Sequence, residues 1–185
     1  MIKNTIKNII LLLFCVISIS FSVFSYESVS TEVQLLKNRF YAKKVMKLIR
    51  SAKKNIRLSL NECEYFEDSK DISSRLLREL VLKAKRGVQV EVVLERGIGK
   101  ELGKKNKNAK KYLFDNGIIV YDDADDKINR NNILIVDDFT VIVGSTVWTE
   151  ESINKNDELV FWIESDEFAK VLTDRFDHLK IFGHR

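Results

Sequence analysis

No proline interrupts this chain of 185 residues, and only seven glycines punctuate it. Those two residues are the strongest local breakers of regular structure, so the chain has few places to divide into separate domains. No internal repeat is present. Cysteine is almost as scarce, with Cys15 and Cys63 alone. Histidine is limited to His178 and His184, which leaves little material for imidazole chemistry or a histidine-rich metal site. Net charge is also small at +4, too weak a field to argue by itself for a nucleic-acid partner.

What the chain does have is a core. Its composition is 45% apolar, and 185 residues suffice for one domain that buries a sizeable interior. Charged residues make up 31%, the mark of a folded module rather than a disordered one.

The first 25 residues read differently. Lys3 and Lys7 precede an apolar run from Ile9 to Phe24, and small residues close it before charge resumes at Glu27. A basic head, an apolar middle and a small-residue exit make an export signal with cleavage after Ser25. Sixteen helical residues span roughly 24 Å, short of the ~30 Å needed to cross a bilayer, which favours cleavage over an N-terminal membrane anchor. Residues 1–25 are therefore expected to be a signal peptide or anchor, and 28–185 the folded domain. The protein is then exported, periplasmic or secreted, or membrane-anchored if the segment stays. Without the leader, 29 basic residues face 27 acidic ones, a net of +2. Cys15 leaves with it, so no intrachain disulfide is possible. Cys63, in the strand-like "IRLSLNECEYF", is expected to be buried.

Apolar spacing from Glu32 to Lys54 predicts a helix, and the alternation of 55–61 a strand. Residues 71–87 predict a helix capped by Asp71 and stopped at Gly87. Then come a strand at 88–94, a lysine-rich helix closing on Gly117, and a short strand "IIVY". "NILIVD" and "FTVIVGS" form a hairpin about the Asp137–Asp138 turn. A strand at 158–164 and a terminal helix from Ser165 or Asp166 complete the domain. This order is α/β, a mixed sheet with helices on both faces. Ligands in such sheets collect at strand carboxyl ends, which points to Asp137, Asp138, Gly144 and Ser145 as site-lining residues.

The ordered set "LIRSAKKNIRLSL", "LLRELVLKAKRGVQVEVVLE", "YLFDNGIIVY", "ILIVDD", "VIVGSTVWT" and "NDELVFWI" resembles the phospholipase D superfamily, closest to its short, single-copy phosphodiesterase and nuclease branch. The resemblance implies a phospholipase D-like fold. It also implies a site on a two-fold interface, where one His attacks phosphorus and the partner subunit's His protonates the leaving oxygen. No cofactor and no metal are expected, since the acidic run Asp122, Asp123, Asp125 and Asp126 lacks the spacing and glycine of a calcium loop. The family pattern is His-x-Lys-x-x-x-x-Asp, then Gly-Ser-x-Asn, then Asn-x-Glu. Asp137 fits the motif Asp, Gly144 and Ser145 match, and so do Asn156 and Glu158. Arg130 stands at the His position, Asn132 at the Lys position and Val147 at the Asn position.

The frame is kept and the reacting groups are not. A guanidinium stays protonated and has no lone pair for phosphorus, nor a pKa suited to a general acid. Asn132 brings no charge, and Val147 no polar contact. His178, on the terminal helix, and His184, in the tail, lie outside the strand-and-turn setting the reaction requires. The reading is a binding or scaffolding protein with a degenerate site, paired as a homodimer through that face. The alternative is an active phosphodiesterase or nuclease with a non-standard site. Arg130 either grips a phosphate or carboxylate, or pairs with Asp126 or Asp137. Lys104, Lys105, Lys110 and Lys111 form a second candidate anion patch, for nucleic acid or a membrane surface, against the plainer reading of a solvated helix face. The acidic run Asp122, Asp123, Asp125 and Asp126 reads as a solvated turn that an incoming phosphate would meet. Tyr65 and Phe66 read as packed aromatics near the site mouth.

Overall fold

The computed structural model describes residues 28–96, 100–123 and 128–182. The expected leader at 1–25, Asp125, Asp126 and His184 lie outside them. The elements in chain order are β1 (Val33–Leu35), α1 (Asn38–Ser51), β2 (Asn55–Leu60), α2 (Ile72–Lys85), β3 (Gln89–Leu94) and α3 (Lys100–Asp115). They continue with β4 (Ile119–Asp122), β5 (Ile133–Val136), β6 (Thr140–Gly144), α4 (Glu150–Asn154), β7 (Val160–Glu164) and α5 (Asp166–Phe182).

One mixed sheet runs in the order β1-β7-β6-β5-β2-β3-β4. β2, β3 and β4 are parallel, because helices α2 and α3 cross over between them. β5 enters antiparallel to β2, and β6, β7 and β1 follow antiparallel in turn. The main core lies between the sheet and α1, α2 and α3, where Val45, Ile49, Leu76, Leu80 and Leu113 meet Ile56, Leu58, Val92 and Leu134. On the other face α5 packs Ala169, Phe168 and Leu172 against Ile133, Ile135, Val141 and Ile163. Helices thus cover both faces, as the sequence pattern requires.

Local chemistry sets the boundaries. Asp71 caps α2, its carboxylate accepting the Ser74 N–H at 2.8 Å. Gly87 ends the turn after α2 at φ 88°, in the left-handed region that glycine adopts freely. Asp137 and Asp138 both sit at φ 56°, the backbone of a type I′ hairpin turn, which Asp tolerates better than most residues.

Asp138 is tied back across the sheet to β2. Its carboxylate accepts the Asn55 amide at 2.7 Å and the Arg57 guanidinium. Burial pushes this carboxyl up, but the bonds from Asn55 and Arg57 outweigh it and hold it below its ordinary value. A depressed carboxyl lends stability above its unfolded pKa of about 3.9 and loses it as pH falls through the folded value. Asp138→Asn is therefore expected to leave a shallower loss of stability below about pH 4, read by thermal unfolding across pH. An unchanged acid limb would contradict this.

Two elements depart from expectation. The helix expected from Glu32 begins at Asn38, because residues 33–35 pair with β7 as an edge strand, and the Leu36 N–H extends the ladder to the Val160 carbonyl at 2.8 Å. The short helix α4 was not expected. Thr149 caps it, accepting the Ser152 N–H at 3.0 Å.

Candidate functional site

The register decides which residues can share a site. Ser59, near the carboxyl end of β2, pairs with Ile133 at the start of β5. Ile133 pairs with Val143 near the end of β6, and Gly144 with Val160 at the start of β7. Four strand ends therefore converge on Asn61, Arg130, Asn132, Ser145, Val147 and Glu158. Gly144 is needed where β6 and β7 close in, since a Cβ there would lie 2.3 Å from the Leu159 carbonyl oxygen.

Asp137 and Asp138 are not among these residues. β5 runs antiparallel to β2, so its carboxyl end lies at the opposite edge of the sheet, roughly 16 Å from Asn132 at the usual strand rise. The expectation that they line the site is corrected by this reversal. Asp137 instead accepts the backbone N–H groups of Lys53 (2.9 Å), Lys54 (2.7 Å) and Asn55 (3.2 Å), closing the chain between α1 and β2.

At the converging ends, Asn132 is a strut. Its amide oxygen accepts the Asn61 N–H at 3.0 Å, and its amide nitrogen donates to the Ser145 carbonyl at 3.1 Å. A lysine ammonium has no acceptor and cannot make the first of these bonds. Ser145 donates its hydroxyl to Glu158 and accepts the Leu159 N–H at 3.0 Å. The other oxygen of Glu158 takes the Ser152 hydroxyl at 2.6 Å and the Asn156 amide at 3.5 Å. Val147 is half-buried, and its N–H donates to the Ser152 hydroxyl at 3.1 Å.

Arg130 is exposed and makes no hydrogen bond or ion pair among the described residues. The expected pairing with Asp137 does not form, because Asp137 is at the far edge, and Asp126 lies outside the described residues. His178 is exposed on α5, whose inward Phe176 packs on Val93 and Tyr121 of β3 and β4.

Burial and pairing revise the other candidates. Asp123 is 2% exposed, not solvated, and accepts the N–H groups of Arg96 (2.7 Å) and Asn129 (3.1 Å), so it does not face an incoming phosphate. Asp122 pairs with Lys110, and Asp115 with Lys111. Lys105 bridges Glu62 (2.6 Å) and Glu64 (2.9 Å), and these bonds raise its pKa above the ordinary lysine value. Three of the four lysines in the α3 patch are thus neutralised, and only Lys104 stands exposed without an ion pair among the described residues. Tyr65 stacks on Tyr112 at 3.8 Å, whereas Phe66 is exposed.

Cys63 is fully buried, and burial pushes its thiol well up from the ordinary value. It sits on an isolated bridge to Trp148, itself fully buried, whose indole N–H donates to the Tyr41 hydroxyl at 3.0 Å. Two asparagines beside the site escaped sequence reasoning. Asn106, on α3, holds the Cys63 N–H at 2.8 Å and donates to the carbonyls of Asn61 and Glu95. Asn129 donates its amide to the Ser59 hydroxyl at 3.1 Å. An asparagine embedded in a lysine-rich helix or a polar loop carries no periodic signal that would single it out.

The family model described as cardiolipin synthase, PLD-like domain, matches residues 45–180. The chain belongs to the phospholipase D superfamily. Among solved structures, this phospholipase D-like chain resembles Nuc, a phospholipase D family member from Salmonella typhimurium. The TM-score is 0.70 and the identity 24%, over 84% of this chain and 97% of that one. NucT from Helicobacter pylori gives a TM-score of 0.65 at 15% identity, over 84% and 98%. The human mitochondrial cardiolipin hydrolase is 31% identical over 111 residues, 58% of this chain but only 41% of that protein's length. The mixed seven-stranded sheet with its covering helices matches the fold of the phospholipase D family member from Salmonella typhimurium.

Proposed function

We propose that this phospholipase D-like protein is catalytically silent and serves as an exported binding or scaffolding module, paired as a homodimer across the degenerate site. One observation carries the reading. At the position of the family's phosphate-gripping lysine, both ends of the Asn132 amide are spent on holding strand ends together. The site has been rebuilt as structure, with Arg130 in place of the nucleophile. Arg130 extends a guanidinium into solvent, and a dimer would bring two such groups to one interface, suited to an anionic ligand such as a phosphate or carboxylate.

The test is turnover. Purified protein given a bis-aryl phosphodiester, DNA and phospholipid vesicles is expected to hydrolyse none of them above the uncatalysed background. Hydrolysis well above background that disappears in Arg130→Ala would overturn the reading in favour of an active phosphodiesterase with a non-standard site.

A further inference from the structure

The first helix carries a feature the candidate site does not absorb. Between Val33 and Asn61 the chain has nine Lys and Arg and no Asp or Glu. Phe40, Lys43, Lys44 and Lys47 recur at helical spacing and are all exposed, so they form one outward stripe on α1, with Lys37 just ahead of it. Unlike the paired lysines of α3, none of Lys37, Lys43, Lys44 and Lys47 joins an ion pair among the described residues.

Apolar surface is set among these charges. Phe40 is 46% exposed, and with Leu35 and Trp162 it lines a groove of about 250 Å³ between α1 and the β1–β7 edge. The Lys44 ammonium lies 5.0 Å from the centre of the Trp162 ring. The apolar run Ile9–Phe24 ends nine residues before Val33. Where that run is retained as an anchor instead of being cleaved, the nine residues reach at most about 32 Å and keep it within reach of this edge; where it is cleaved, the basic and aromatic surface of α1 acts alone.

We propose that α1 and the β1–β7 edge form a docking surface for a bilayer rich in anionic phospholipid. Unpaired ammonium groups meet the headgroup phosphates, and Phe40 and Trp162 sit at the level between headgroup and acyl chain. The lysines stand on a convex helix around apolar side chains, not along a channel that tracks a phosphate strand, which favours a lipid surface over nucleic acid. The inference is independent of whether the degenerate site catalyses anything.

The test uses the full chain. The N-terminal segment, with Lys3 and Lys7, is common to every chain compared, so the change in the ratio of the two affinities between variants isolates the basic surface of α1. Vesicles of phosphatidylcholine alone are compared with vesicles holding about 30 mol% phosphatidylglycerol, with the native chain expected to prefer the latter about tenfold or more. A chain with Lys37, Lys43, Lys44 and Lys47 all changed to Gln is expected to lose most of that preference. A chain with Lys70, Lys104, Lys107 and Lys155 changed to Gln, the same charge removed from other exposed positions, is expected to keep it. All eight side chains are exposed, so thermal unfolding should match the native chain in both variants. No preference in the native chain, or an equal loss in both variants, would overturn the proposal. So would loss of duplex DNA binding in the first variant with its lipid preference intact.

Discussion

Asp137→Ala is expected to destabilise the protein by about 3 kcal/mol without any connection to catalysis. The carboxylate accepts three consecutive backbone N–H groups, from Lys53, Lys54 and Asn55. A hydrogen bond to a charged group contributes roughly 1.5–3 kcal/mol, and water partly replaces those lost near a half-exposed turn. Alanine adds a second cost, since residue 137 sits at φ 56°, where a non-glycine residue without a local polar side chain is strained. Asp137→Asn keeps one acceptor oxygen and tolerates that backbone, so its loss should be about half as large. Denaturant unfolding of both variants checks the order. An alanine variant as stable as the native chain would remove the structural role assigned to this motif residue.

Trp148→Ala carries the largest expected loss, about 4 kcal/mol, within the range for deleting a fully buried tryptophan. Its backbone accepts the Glu64 N–H at 2.8 Å and donates to the Glu62 carbonyl at 3.0 Å, while the indole meets Tyr41 of α1. The residue therefore joins the loop after β2, the segment after β6 and the first helix. A cavity there leaves the Tyr41 hydroxyl buried without its donor as well. For a domain of this size the melting temperature should fall by about 10 °C. Trp148→Phe, which fills most of the volume, should fall by less than half of that. Equal melting temperatures for native and alanine chains would contradict this packing account.

Sequence reasoning reached the sheet, its helices and the hairpin because those features rest on local signals. Period-2 and period-3.6 apolar spacing, the Asp71 cap, Gly87 and the Asp137–Asp138 turn each act within a few residues. β1 and α4 escaped because three and five residues are too short to show a period, and their formation depends on pairing with β7 and capping by Thr149. The motif positions are an expectation drawn from the sequence, and their geometry was not legible there. The rule placing ligands at strand carboxyl ends misplaces Asp137, because β5 runs against β2 and its carboxyl end faces the other way. The lysine patch also looked free in one dimension. The acids that neutralise Lys105 lie 43 and 41 positions away at Glu62 and Glu64, and only the fold brings them together. The same limit hid the burial of Asp123, which reads in the sequence as one of a solvated acidic run.

The central claim is that the phospholipase D frame persists while its reacting groups are gone. The most direct measurement compares bis-aryl phosphodiester hydrolysis by the native chain and by a chain carrying Arg130→His, Asn132→Lys and Val147→Asn together. The account predicts background turnover for the native chain and a rise of about a hundredfold or more in the triple variant, the scale that a nucleophile and its phosphate grips contribute. Native turnover equal to or above that of the triple variant, and lost in Arg130→Ala, would contradict it.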